Sequence, residues 1–319
     1  MTKGDMGHVF IVGVPRSGTT LVRDLISRHP EVAMPQDEFQ LIPFLIKRFG
    51  SKAKLHDTDI NRYLTIVKRS AFYHHRKADT PLGNWRPKRA TLPEVISETL
   101  RHFAPKETFS DLRYVGDKTP NNLLYLEAIT ESFPRSKFIH VVRDPRDVAL
   151  SARKAWKKSL IRAAHQWQRG VAAAYHFAQK HPDNILTVRY EDLLADSRTE
   201  LLGVCNFLNL QFDESLLELT GSREKMGDAA GYPGVKTDNA GKFEAALSEH
   251  EHELFTSYIH KEMAEFGYEC AKPRNTRDFS QLELAILSLY DLMGSTLRHI
   301  KDKGLIGGIR YRLAQILLR

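Results

Sequence analysis

Cysteine is nearly missing from this chain: Cys205 and Cys270 are the only two in 319 residues. Two thiols so far apart exclude a disulfide framework and the zinc sites built on closely spaced cysteines, and both are expected as small core residues. No stretch approaches the ~18 consecutive apolar residues of a membrane span. Met1-Thr2-Lys3-Gly4-Asp5 leads directly into an apolar segment with no hydrophobic signal region before it. The expectation is a cytoplasmic protein, with contact at a membrane surface as the most it would make. Internal repeats and low-complexity tracts are absent too, and 42% hydrophobic with 27% charged residues is the balance of a globular chain.

An acidic excess is also lacking, since the net charge is +8. Residues 298–319 contain Arg298, Lys301, Lys303, Arg310, Arg312 and Arg319 against Asp302 alone, so this end carries +5 and leaves +3 for everything before it. A body so weakly basic gives no electrostatic support for nucleic-acid binding. Beyond a linker at Lys272-Pro273-Arg274-Asn275, Leu282, Ile286, Leu289, Met293 and Leu297 form one helical stripe, and Ile306, Ile309, Leu313 and Ile316 form another. The expected organisation is a main domain over 1–271, with a helical insertion at 39–110, followed by a basic amphipathic helical extension over 272–319. Through 280–319 that extension would reach a membrane surface or a second copy of the chain.

What is present is a phosphate-binding signature with a gap in it. Val9-Phe10-Ile11-Val12 reads as a strand buried on both faces, and it runs through Gly13-Val14-Pro15-Arg16-Ser17-Gly18-Thr19-Thr20 into a helix. Gly13, Gly18 and Thr20 match the nucleotide-binding loop of Gly, four residues, Gly, Lys, and Ser or Thr, but Thr19 stands at the lysine position. The fixed charge is Arg16, inside the loop. A guanidinium, the hydroxyls of Ser17, Thr19 and Thr20, and a helix N-terminus suit an anionic group bound without an obligatory metal.

Further along, Lys137-Phe138-Ile139-His140-Val141-Val142-Arg143 is a second buried strand entering a charged turn, Asp144-Pro145-Arg146-Asp147. A helix covers Trp156 to Ala178, a third strand covers Asn184 to Tyr190, and a short extended piece covers Val32-Ala33-Met34. Thr91 with Glu94 and Ser248 with Glu251 have capping-box spacing, placing helices from Leu92 to about His102 and from Ser248 to Gly267. Val115-Gly116-Asp117-Lys118-Thr119-Pro120 reads as a turn before a helix, and Gly221 to Gly241 as a long loop. Alternating strands and helices predict an α/β fold with a doubly wound parallel sheet, whose ligands bind beyond the carboxyl ends of the strands.

At this point the chain resembles the sulfotransferases that use 3′-phosphoadenosine 5′-phosphosulfate. Pro15-Arg16-Ser17-Gly18-Thr19-Thr20 is similar to the family's 5′-phosphosulfate loop, and Arg143-Asp144-Pro145-Arg146-Asp147 with Ser151 is similar to its 3′-phosphate motif. The style is that of the bacterial, glycan and tyrosylprotein branches. The resemblance implies a P-loop-type three-layer fold with a central parallel sheet flanked by helices. It assigns Arg16, Ser17, Gly18, Thr19 and Thr20 to the 5′ end of the donor, Arg143 and Ser151 to the 3′-phosphate, and Tyr190 to the adenine side. Lys118 resembles the lysine that approaches the sulfuryl group, and with Arg16 it would stabilise the charge there. Glu38 resembles the base that deprotonates the acceptor, with Asp37 an alternative one residue away. His74, His75 and His102 are expected to be ordinary surface or core residues. Lys236 and Lys242, in the late loop, stand where that loop closes over the donor in the family.

The reaction so implied is in-line transfer of the sulfuryl group to a hydroxyl of a glycan, lipid or secondary metabolite, without metal, nucleic acid or further cofactor. Residues 39–110 would select the acceptor. The other readings are a P-loop nucleotide kinase, against which the missing lysine counts, and a non-catalytic nucleotide-binding protein at a membrane periphery.

Overall fold

In the computed structural model, residues 6–88, 91–105, 112–219, 232, 234–292 and 304 are described below. They divide into two compact units, one of Met1–Arg143 with Gly170–Asn239 and one of Asp144–Arg169 with Ala240–Arg319.

The first unit is built on a parallel sheet. Strands β1 (Gly7–Gly13), β2 (Val32–Ala33), β3 (Tyr114–Lys118), β4 (Ser136–Val142) and β5 (Ile185–Arg189) lie in the order β2-β3-β1-β4-β5. Every pairing is parallel, with β1 central between β3 and β4. Val9 to Val12 have no solvent exposure, because both faces are covered. Val9 and Ile11 meet Val22, Leu25 and Ile26 of α1 (Thr19–Ile26) and Leu201, Val204 and Cys205 of α10 (Ser197–Phe207) in one apolar cluster. On the opposite face Phe10 packs against Phe138 and Phe133, with ring centroids 5.6 and 5.5 Å apart, and Phe138 against Phe177 at 5.2 Å. This is the three-layer α/β fold expected.

The main difference from expectation is β3. Tyr-Val-Gly-Asp-Lys has few apolar residues and reads locally as a turn, yet all five are buried in an interior strand. Gly116 explains the fit: a Cβ there would stand 2.3 Å from the carbonyl oxygen of Val9. Lys118 is accordingly the last residue of a strand, and not part of a turn; a 3₁₀ helix (Pro120–Tyr125) and α6 (Leu126–Ser132) follow it.

Between β2 and β3 the insertion contributes α2 (Ile42–Phe49), α3 (Asp57–Arg69), α4 (Ala71–Arg76) and α5 (Leu92–Phe103). The Thr91 and Glu94 capping box forms as read, and α5 ends one residue past the expected His102. The expected helix from Trp156 to Ala178 is divided: α7 (Pro145–Trp156) stops at Lys157, whose φ of 57° is left-handed, and α8 (Leu160–Lys180) restarts after it. Tyr190 opens α9 (Tyr190–Ala195).

In the second unit, α11 (Phe243–Ala246) and α12 (Glu249–Glu265) accompany α7 and the start of α8. Ser248 and Glu251 cap α12, and Gly267 follows its end at φ 71°. Residues 281–292 are helical. Cys205 is buried as expected, whereas Cys270 is half-buried. Most of the Gly221–Gly241 loop, residues 106–110 of the insertion and nearly all of the chain beyond 292 lie outside the described residues.

Candidate active site

The loop after β1 needs unusual backbone. Arg16 and Gly18 have φ of 83° and 94°, and a left-handed non-glycine residue costs about 1 kcal/mol or more, a strain that accumulates at ligand sites. Gly18 is required for a second reason. A Cβ on it would fall 2.2 Å from the Tyr190 ring, which packs over the start of α1. Ser17 is fully buried, and its Oγ has no hydrogen-bond partner among the described residues. A buried hydroxyl left this way costs about 1–3 kcal/mol unless something else satisfies it, so the loop is shaped for a polar guest.

Arg143, directly after β4, is drawn into the same neighbourhood. Its guanidinium donates to the carbonyl oxygens of Arg16 at 3.3 Å and Asn239 at 2.6 Å, and stacks 4.6 Å from the Tyr190 ring. Asn239 donates its side-chain amide to the Tyr190 hydroxyl at 2.8 Å. Loop, strand end, tyrosine and a residue almost a hundred positions downstream thus form one buried knot. Asn239 was not legible in the sequence, because it lies in a stretch without periodicity.

The rest of the Arg143-Asp144-Pro145-Arg146-Asp147 motif serves the second unit. Asp144 caps α7 through the Arg146 N–H and forms a buried ion pair with the same arginine at 2.6 Å. Arg146 lies 3.7 Å over the Phe243 ring, and Asp147 accepts the N–H groups of Gly241 and Phe243. Ser151 is half-buried on α7 of that unit.

The end of β3 supplies the other half of the site. Lys118 Nζ lies 2.6 Å from Glu38 Oε1 and 3.4 Å from Thr20 Oγ1, so one ammonium bridges the loop and the candidate base. Glu38 Oε2 accepts from Gln40 Nε2 at 2.6 Å. Asp37 turns elsewhere, with Oδ1 3.9 Å from His75 Nδ1. Of the remaining candidates, His102 stacks on Trp85 at 4.6 Å, and Lys236 pairs with Asp238 at 3.3 Å.

The segment carrying Glu38 is pinned by the neighbours of Lys118, which sequence reasoning missed. The Phe39 N–H donates to Asp117 Oδ1 at 3.0 Å, and the Gln40 N–H to Thr119 Oγ1 at 3.1 Å. Asn122 donates to Asp117 Oδ2 at 3.3 Å. Phe39 is itself buried, edge-on to Phe72 of α4 at 5.2 Å, and Phe72 packs on Phe103 of α5. The insertion therefore holds the Glu38 segment from one side and β3 from the other. The available signal was a charged pair, Asp117-Lys118, beside apolar Val115.

Burial pushes the Asp117 carboxyl up to about 6, against the N–H of Phe39 and the Thr119 hydroxyl, which favour its charged form. A carboxyl raised in the folded state favours folding below its ordinary value near 3.8 and loses that contribution as pH rises through about 6. Asp117→Asn removes this dependence. Its stability relative to the native chain should therefore improve between pH 4 and pH 7 by a few kcal/mol, since each pH unit separating the folded and unfolded pKa values is worth about 1.4 kcal/mol. Denaturant titrations across that range check this, and a pH-independent difference would mean Asp117 does not titrate there.

With this geometry in place, the comparison with known proteins is direct. A model of the sulfotransferase family matches residues 8–214, which span the loop, β3, Arg143 and Tyr190. The chain belongs to the sulfotransferase family. Protein-tyrosine sulfotransferase 1 of Danio rerio is 27% identical over 250 residues, covering 74% of this chain and 61% of the relative. Protein-tyrosine sulfotransferase 2 of Gallus gallus is 25% identical over 228 residues, covering 67% and 54%. The chain thus spans less than two thirds of the length of either. A sulfotransferase domain from the curacin biosynthetic pathway matches in fold with a TM-score of 0.58 at 21% identity, over 83% of this chain and 99% of that domain. This sulfotransferase is accordingly an enzyme, and the kinase and non-catalytic readings give way to it.

Proposed function

We propose that this sulfotransferase moves the sulfuryl group of 3′-phosphoadenosine 5′-phosphosulfate to an acceptor hydroxyl, with Glu38 as base. The observation that carries the reading is Lys118, within 2.6 Å of Glu38 and 3.4 Å of Thr20, because it puts base, cation and anion loop in one place. The orphaned Ser17 hydroxyl and the left-handed turn at Arg16 to Gly18 fit a phosphosulfate. The donor supplies an activated sulfuryl group whose sulfur–oxygen bond to the 5′-phosphate breaks as the bond to the acceptor oxygen forms.

Arg16, Ser17, Gly18, Thr19 and Thr20 hold the 5′ end of the donor, and Lys118 and Arg16 offset the charge on the equatorial and leaving oxygens. Glu38 takes the proton from the acceptor hydroxyl. Arg143 holds the 3′-phosphate, for which a guanidinium offers paired donors, and the Tyr190 ring lines the adenine side. Ser151 keeps its assignment from the sequence motif alone. Residues 39–110 select the acceptor, a hydroxyl on a glycan, lipid or secondary metabolite. Relatives named for protein tyrosine make a phenol the first acceptor to try.

The test is thermal unfolding with adenosine 3′,5′-bisphosphate compared with ATP and magnesium. The bisphosphate should raise the melting temperature by several degrees when present at about 100 times its Kd, with a much smaller shift from magnesium-ATP. The reverse result would sink the proposed donor.

A further inference from the structure

Among the described residues, the side-chain bonds that tie the helical stretch 281–292 to the rest of the second unit come from Glu283 and Asp291. Glu283 accepts the Tyr258 hydroxyl at 2.9 Å. Asp291, buried, accepts from Arg162 Nη1 at 2.6 Å and from the Ser159 N–H at 3.0 Å. Leu284 is buried beside them in sequence. These contacts use both charged residues of the stretch.

What remains outside is unusual for a face in water. Leu282, Ile286, Leu289 and Tyr290 are 71, 57, 62 and 70% exposed, and their spacing puts them on one stripe. The other exposed residues of the stretch are Gln281, Ala285 and Leu292, so no exposed position between 281 and 292 carries charge. Isolated exposed leucines need no explanation, but a continuous apolar stripe does.

Charge decides between occupants. Residues 298–319 follow with six cations and one acid, on a chain whose net charge is +8. Bringing two such ends together face to face would set cation against cation, whereas an anionic surface is attracted to them. An uncharged apolar stripe next to a cationic segment is the chemistry of a helix lying in a lipid interface. Among the described residues no helix is long and apolar enough to cross a membrane.

We propose that the outer face of residues 281–292 lies in the interface of an anionic lipid surface, with the cations of 298–319 drawn to its headgroups. The proposal is independent of the donor and acceptor assigned above.

Co-sedimentation of the full chain with vesicles tests it. The protein should bind phosphatidylcholine vesicles containing about 30% phosphatidylglycerol, bind pure phosphatidylcholine far less, and be released by salt. The triple variant Leu282→Ser, Ile286→Ser, Leu289→Ser should partition about tenfold more weakly or worse, with an unchanged melting temperature because all three sites are exposed. In a separate Tyr290→Trp variant, the added emission should shift to the blue with the anionic vesicles and not with the neutral ones. Failure of the native chain to bind anionic vesicles overturns the proposal, as does undiminished binding by the triple variant. A dimer in light scattering that the triple variant abolishes would give this face to a second copy instead. Tryptophan emission already blue in buffer and unmoved by vesicles would mean that the chain covers the face itself.

Discussion

Glu38→Gln should lower kcat by about 10²- to 10⁴-fold, the usual contribution of a general base, while adenosine 3′,5′-bisphosphate binds within about threefold of its native affinity. The expectation rests on where the carboxylate sits. One oxygen takes the Lys118 ammonium and the other the Gln40 amide N–H; glutamine keeps the first bond through its Oε1, and the second once the Gln40 amide turns to present its own oxygen to the new NH2. The new side chain cannot accept a proton from the acceptor. Single-turnover assays with saturating donor separate the two quantities. Turnover near the native value would remove Glu38 from the mechanism and turn attention to Asp37, which sits beside His75.

Arg143→Ala should show the opposite pattern, with bisphosphate affinity falling about 30- to 1,000-fold, the range of a lost buried charge partner of 2–4 kcal/mol. The side chain binds the Arg16 and Asn239 carbonyls and stacks on Tyr190, so its removal also loosens the loop after β1. Arg143→Lys should recover only part of the loss, since an ammonium keeps the charge but not the planar fork. Calorimetric titration measures both variants. Native affinity in Arg143→Ala would take the 3′-phosphate away from this residue.

Together the two substitutions divide the site by function, and the division follows what was and was not legible in the sequence. Val9 to Val12 and the glycines beside them declared a buried strand and a tight turn into a helix because their signals are local: an apolar run, and turn chemistry within ten residues. The capping boxes at Thr91 and Ser248 were legible for the same reason. Strand β3 was not, because its stability comes from distant partners. Gly116 fits there because a side chain would meet the Val9 carbonyl, and Asp117 is satisfied in the interior by Phe39, Asn122 and Thr119. Lys118 was singled out from its neighbours in sequence, but its partnership with Glu38 is a contact over eighty positions. Lys157 likewise splits a helix that helical periodicity alone would continue, by adopting a left-handed backbone.

The bond from Arg143 to Asn239 also sets a limit on how short a working version of this enzyme can be. The family match stops at residue 214, and a chain cut there would still contain every loop and strand of the sheet. It would lose the buried Asn239, whose carbonyl accepts from the Arg143 guanidinium and whose side-chain amide donates to the Tyr190 hydroxyl. A cut at that point would therefore leave every strand of the sheet in place and leave Arg143 and Tyr190 without their bonds to Asn239. Both bonds are kept only in a piece that runs to residue 239 or later, past the end of the family match at residue 214.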